Sequence, residues 1–340
     1  MKPARIALLF LLALVVPASA QTPDPGCSSE LGFLKGLFVG VSELTIAFTC
    51  PQQQGGPTTT AHVIRVDLGA DGLSFETSGA GGSGAFPVGP SAIFDQELTT
   101  AFLTRTKSQV AFNANLFTNC CCDYVAAGAV PEKTYLIGLQ VSGGTVLSGI
   151  GAKPAPLDGS CGSTPPANFP FDYSLVVRGT ALNIQRFVVA QADRPVTAAV
   201  TGSHLMVSGG RNVAPTENSG GFFGPNARTL VGLSGDDRIL WIAAVDRSTS
   251  DGVTLAQAAQ LMIQLGAAMA INLDGGGSTS LAVDDGSGAP RLLNQPNDTP
   301  DPSNPHKKQC MVAVNGYCER FVGASFGIHA LPLSPTAPQR

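Results

Sequence analysis

Charge is what this sequence has least of. Asp, Glu, Lys and Arg make up only 13% of its 340 residues, about half the roughly 25% of an ordinary soluble domain. With 44% hydrophobic residues, that scarcity excludes a charge-driven disordered chain and leaves enough apolar surface for a substantial core. A basic excess is missing too: 20 Lys and Arg face 24 Asp and Glu, a net of −4. Without a basic stripe the chain is a poor match for a phosphate backbone, so nucleic acid is not an expected partner. Glycine (40) and proline (25) are abundant, but without a G-X-Y period or a repeat of 20–50 residues, which excludes collagen, solenoids and propellers. Also absent are the C-x-x-C pairs of structural zinc sites, a G-x-S-x-G elbow and a P-loop lysine after glycines.

What is present begins with a leader. Lys2 and Arg5 precede an apolar run from Ile6 to Val16, and Ala18-Ser19-Ala20 offers a small-residue cleavage site, so residues 1–20 read as a signal peptide cleaved after Ala20. The run is short of the roughly 20 residues needed to span a bilayer, and no later segment is long enough to span. Secretion or a periplasmic location is therefore expected, with no transmembrane segment after cleavage. Eight cysteines follow, Cys27, Cys50, Cys120, Cys121, Cys122, Cys161, Cys310 and Cys318. An even count in an oxidising compartment predicts disulfides, with connectivity unreadable.

Residues 21–60 read as a turn-rich segment stapled by Cys27 and Cys50, residues 61–330 as the main domain, and 331–340 as a flexible tail. Ala61–Leu68 alternates and Asp71-Gly72 leads into Leu73-Ser74-Phe75, the pattern of a hairpin. A short helix is expected near Ile93–Thr104, then a strand Val110–Phe112 ending at Asn113. Short strands follow at Tyr135–Val141, Thr145–Ile150, Tyr173–Val177, Ile184–Ala190, Val196–Val200 and Ile239–Val245. Across Thr254–Gly266, apolar residues at i, i+3, i+4 and i+7 predict a helix, with Thr254 and Gln257 as a capping box and Gly266 past its end. Ala267–Leu273 and Ser280–Val283 read as buried strands. The expected class is α+β, a mixed sheet with few packed helices, disulfide-stapled.

Between those last two strands lies Asn272-Leu273-Asp274-Gly275-Gly276-Gly277-Ser278-Thr279-Ser280. Three glycines cost backbone entropy, which chains tolerate where φ must be positive or a ligand must approach the backbone closely. Bare amides beside the hydroxyls of Ser278 and Thr279 suit an anion such as phosphate, with Asp274 at the lip. A glycine-rich turn with a solvated aspartate is the plainer alternative.

The loop has company. Ile271–Thr279 resembles the signature of the phosphodiester glycosidase domain family, and other stretches resemble that family's blocks in order: Ala111–Phe117, Ala227–Gly232, Val245-Asp246-Arg247 with Ser250 and Gly252, and Leu293–Asp298. Arg247 stands where the family usually has glycine, and Asn297 where serine is commoner. The resemblance implies a secreted hydrolase that cleaves a sugar-1-phosphodiester, with a sugar phosphate or surface glycan as substrate. On that reading Arg228 clamps phosphate oxygens, and Thr229 and the amides of Gly275, Gly276 and Gly277 line the cradle with Ser278 and Thr279. Asp274 activates water or stabilises positive charge, Asp246 or Asp298 is its partner, and Asn113, Asn272 and Asn294 orient sugar hydroxyls. A non-catalytic extracellular protein that binds carbohydrate or phosphate is the reading from a different class. His62, His204, His306 and His329 lie outside the matched blocks and read as surface or structural. No cofactor is certain; Asp284-Asp285-Gly286 and the Asp298–Asp301 loop carry hard oxygens that could take Ca²⁺, and no metal-ligand set is assigned.

Overall fold

The computed structural model describes residues 27–50, 58–79, 93–119, 133–149, 170–186, 195–217, 219–247, 252–296, 313–314 and 317–334. Its frame is a nine-stranded sheet in the order Ser28–Leu31, Val41–Thr49, Thr59–Asp67, Ile239–Val245, Arg228–Ser234, Ala267–Asn272, His204–Ser208 and Arg211–Asn212, with Lys35–Phe38 alongside Val41–Thr49. A five-stranded sheet runs Pro290–Leu292, Leu281–Asp284, Val110–Asn113, Ser325–His329 and Ser74–Thr77. Another runs Thr145–Ser148, Gln140–Ser142, Ala198–Thr201, Tyr173–Arg178 and Ala181–Arg186.

Both faces of the large sheet are apolar and both are covered, so successive residues of one strand enter different cores. Val63, Leu230, Ala243 and Ala270 pack under the helix Leu255–Gln264 through Leu255, Ala258 and Met262. Their neighbours Ile64, Val231, Ile242 and Ile271 face the two five-stranded sheets, meeting Phe112, Phe326, Leu175 and Val200. The helix starts on its predicted signal: the Thr254 side chain accepts from the Gln257 amide and Gln257 reaches back to the Thr254 amide. Gly266 follows with φ +93°.

The molecule is sheet-rich, and the sheet is not mixed: every strand pair among the described residues is antiparallel. Residues 28–49, read as turns, form three strands of the large sheet, closed by the predicted Cys27–Cys50 disulfide. Cys318 is also disulfide-bonded; Cys120, Cys121, Cys122, Cys161 and Cys310 lie outside the described residues, as does the leader. The expected hairpin after Leu68 does not form. Both edges of Thr59–Asp67 are already paired, to Val41–Thr49 and Ile239–Val245, so the chain crosses at Gly72 and Ser74–Thr77 joins the other sheet against Ser325–His329. The helix expected near Ile93–Thr104 begins later, at Thr99, because Ile93–Asp95 pairs with Lys133–Leu136. The strand expected over Tyr135–Val141 breaks at Gly138, whose φ is +80°.

Candidate active site

One end of the large sheet gathers the residues with chemistry. Arg228 opens one strand opposite Val245, which immediately precedes Asp246. Asn272 closes the next strand, paired with Leu230 on one side and His204 on the other. His62 lies on the same end, beside Ala244. From Asn272 the glycine loop crosses to the five-stranded sheet, which it enters at Leu281.

The loop is held by three side chains. Asn113 is fully buried at the end of Val110–Asn113, and its Nδ2 donates to the Asp274 carbonyl at 2.8 Å. Its Oδ1 accepts from Thr229 Oγ1 at 2.6 Å and from the Ser280 amide at 3.0 Å. Asn294 Oδ1 accepts from the Leu281 amide at 2.7 Å, and its Nδ2 donates to the Thr279 carbonyl at 3.0 Å. Asn113, Thr229 and Asn294 thus brace the loop from both sheets. Asp246 joins this scaffold: Oδ1 accepts from the Gln295 amide at 2.9 Å, and Oδ2 pairs with His62 Nε2 at 3.0 Å.

Within the loop, Gly276–Ser278 forms a single 3₁₀ turn with Gly276 at φ +62°. The Gly275 amide donates to Asp274 Oδ1 at 3.0 Å and the Gly276 amide to the Ala227 carbonyl at 2.8 Å. A side chain at Gly275 would meet that same carbonyl at 2.7 Å. Close approach to residue 227, rather than an open nest of amides, therefore accounts for glycine at 275. Among the described residues the amide of Gly277 has no protein acceptor.

Burial sets the electrostatics. It pushes the Asp274 carboxyl up to about 6, against the opposing pull of the Ser278 hydroxyl, the Arg320 charge and the Gly275 amide. Arg228 is buried, and desolvation brings its guanidinium down to about 10. Nε donates to the Val253 carbonyl at 3.1 Å; Nη2 donates to the carbonyls of Phe222 and Gly224 at 2.8 and 2.7 Å. Only Nη1 remains without a bond to a described residue. Val253 is placed by the Asn226–Val253 bridge, where Gly252 has φ +79° and a side chain would strike the Asn226 carbonyl.

Two buried polar atoms in this region have no protein partner, Asn272 Oδ1 and Thr279 Oγ1. Buried polar groups are nearly always bonded, so two such atoms flanking one loop mark a place for something else to bind. Asn272 Nδ2 donates to Ser203 Oγ at 2.9 Å and to the Leu273 carbonyl at 2.7 Å.

Four groups near this constellation escaped the sequence reading. His204 is buried, stacks edge-on against Phe223 at 5.5 Å and shares a 3.1 Å bond with Ser203 Oγ. Burial first, and the Arg228 charge second, depress it to about 4, so it is neutral at physiological pH. The register shift between Leu205 and Val207 sits beside it, as bulges often do near sites. His62 pairs with Asp246, and Arg320 bears on Asp274. Glu319 accepts from Ser280 Oγ at 2.9 Å and from Thr100 Oγ1 at 2.6 Å. Cross-strand register would point to His204 and His62; nothing local in the sequence does. Asp298 and the Asp298–Asp301 loop lie outside the described residues. Asp284 and Asp285 bond the amides and hydroxyl of their own turn, and among the described residues no cluster of His, Cys, Asp or Glu could hold a metal.

Residues 160–312 match the family model of the phosphodiester glycosidase. The resemblance read from the glycine loop is therefore carried by the stretch that contains Arg228, Asp246 and Asp274, while Asn113 falls outside it. The fold agrees. The catalytic domain of zebrafish N-acetylglucosamine-1-phosphodiester alpha-N-acetylglucosaminidase, auto-inhibited by its pro-peptide, superposes with a TM-score of 0.57 at 17% identity, over 89% of this chain and 88% of that one. An exported protein of Burkholderia pseudomallei superposes with a TM-score of 0.55 at 13% identity, over 90% and 97%. No curated protein matches the chain.

Proposed function

We propose that the protein is a hydrolase of sugar-1-phosphodiesters acting outside the cytoplasm. The observation that carries this is a carboxyl raised to about 6, Asp274, in a loop flanked by two buried polar atoms that no protein group satisfies. The Cys27–Cys50 disulfide and the leader-like N-terminus support the location.

In such a substrate the leaving group is already an anion, so the barrier lies in neutralising its growing charge and delivering water to the anomeric carbon. Arg228, fixed by three carbonyls, supplies positive charge and offers Nη1 to a phosphate oxygen. The Gly277 amide and Thr279 Oγ1 are further donors. Asn272 Oδ1 accepts a sugar hydroxyl. Asp274, ionised above about pH 6, takes the proton of the attacking water. The C1–O bond breaks with its electron pair leaving on the phosphate oxygen, and the products are a free sugar and a phosphomonoester.

The test is turnover of a panel of sugar-1-phosphodiesters, including UDP-linked N-acetylglucosamine, by wild type and Asp274→Asn, with parallel calorimetry. Release of free sugar by wild type and its loss in the variant is the expected result. Binding without turnover by either protein would replace hydrolysis with a carbohydrate- or phosphate-binding role.

A further inference from the structure

A second cleft lies at the opposite end of the large sheet from the glycine loop, with a volume of about 430 Å³. Leu68 and Gly69, just beyond Thr59–Asp67, and the Asp237-Arg238 turn form one wall. The hairpin tip Arg178-Gly179-Thr180-Ala181 forms the other. Two arginines, Arg178 and Arg238, therefore line one space. Neither makes an ion pair or side-chain hydrogen bond to a described residue, and Arg178 Nη2 is a buried nitrogen without a partner. The neighbouring carboxylates bond their own turns, Asp67 Oδ1 accepting from the Gly69 amide and Asp236 Oδ1 from Ser234 Oγ and the Arg238 amide, while the Arg238 charge also bears on Asp236. Among the described lining residues Asp237 is the one carboxylate.

A buried guanidinium nitrogen without an acceptor, as Arg178 Nη2 is, is costly, and structures keep such groups where a partner arrives from outside. Paired arginines favour oxyanions, above all phosphate. The space exceeds what inorganic phosphate fills. Thr180 and Asn183, both exposed on its lining, can bond hydroxyls. Gly69 keeps the entrance low, since a side chain there would press on the Arg238 guanidinium at 3.3 Å.

We propose that this cleft is a second, non-catalytic binding site for a phosphorylated saccharide, held by Arg178 and Arg238. The site stands independently of the hydrolytic reading. Isothermal calorimetry with glucose 6-phosphate, a monoester with no phosphodiester to cleave, tests it against inorganic phosphate on the full-length mature protein. Saturable binding of glucose 6-phosphate is expected, weakened at least about tenfold in Arg238→Gln and in Arg178→Gln and unchanged in Asp274→Asn. Arg238 sits on an exposed turn, so its variant keeps the test valid should Arg178→Gln fail to fold. Equal affinity for inorganic phosphate would overturn the saccharide assignment. Absence of binding, or binding lost in Asp274→Asn and kept in both arginine variants, would overturn the site.

Discussion

The strand Leu281–Asp284 has an aspartate-glycine turn near each end, and the two turns behave oppositely. Before it, Asp274 sits in a loop braced by Asn113 and Asn294, and burial raises its carboxyl to about 6. After it, the exposed Asp285 bonds the hydroxyl and amide of Ser287, and those bonds lower its carboxyl. Both turns are rich in Asp, Gly and Ser, so composition does not separate them. The difference lies in what the rest of the chain builds around each: two sheets brace the first and leave it half-buried, and the second stands in water. An acid–base group needs that desolvation, and a loop stabilised by its own amides has no use for it.

The largest effect separating the turns is expected in rate. Asp274→Asn should lower kcat/KM on a sugar-1-phosphodiester roughly 10²- to 10⁴-fold, with Asp285→Asn near wild type. The wild-type rate should rise with pH through about 6, and that limb should vanish in the Asp274 variant. Stability should move the other way. A carboxyl raised in the folded state stabilises most below its unfolded value near 3.8, and the benefit is lost as pH rises through about 6. Asp274→Asn should therefore be more stable than wild type at pH 8, by roughly 1–3 kcal/mol, and no more stable at pH 3.5. Asp285 has the reverse sign, with stability present above its unfolded value and lost on acidification. Thermal melts across pH 3.5–8 check both.

Next in size is one arginine from the surroundings of each turn. Arg228→Met strips a donor from the carbonyls of Val253, Phe222 and Gly224 and should cost roughly 2–4 kcal/mol in denaturant unfolding. Arg291, on the strand after the exposed turn, makes a surface ion pair with Glu43 at 2.7 Å. Arg291→Ala should cost at most roughly 1 kcal/mol, and less at high salt.

What could be read before the structure divides along the same line. The helix Leu255–Gln264 and its capping box and the strands Ile239–Val245 and Ala267–Asn272 are local, written in periodicity and in the placement of Thr254, Gln257 and Gly266. The start of Thr99–Thr106 was not readable, because its N-terminus is served by a carboxylate from far along the chain, Glu319, which accepts from the Thr100 amide and hydroxyl. The division of labour among the loop asparagines was equally hidden. Asn113, Asn272 and Asn294 look alike in sequence, yet Asn113 and Asn294 are engaged through both ends of the carboxamide, and Asn272 keeps Oδ1 unpartnered. Strand order alone brought His204 to the site, and no spacing rule encodes strand order.

A smaller contrast comes from glycine. Gly286→Ala forces a left-handed residue, φ +94°, into open space and should cost roughly 1–2 kcal/mol with activity intact. Gly275→Ala has an ordinary extended φ but drives a methyl against the Ala227 carbonyl. It should cost a comparable roughly 1–3 kcal/mol and, by shifting the loop off Ala227, lower kcat as well. Equal kinetics for the two variants would mean that the loop's position relative to Arg228 is unimportant.

The finest test uses a single hydroxyl from each turn. Ser287 Oγ is bonded to Asp285 at 2.7 Å in full solvent, so Ser287→Ala exchanges that bond for water and should leave melting temperature and rate almost unchanged. Thr279 Oγ1 is buried without a protein partner. Thr279→Val keeps the shape of the side chain and removes an unsatisfied polar atom, so it should be neutral or stabilising by up to about 1 kcal/mol. If that hydroxyl donates to the substrate phosphate, the same substitution must weaken catalysis, on the order of tenfold in kcat/KM for one lost bond to a charged group. A variant that gains stability while losing activity separates binding from folding at one atom. A gain in stability with full activity would remove Thr279 from the phosphate cradle and leave Arg228 and the Gly277 amide to hold it.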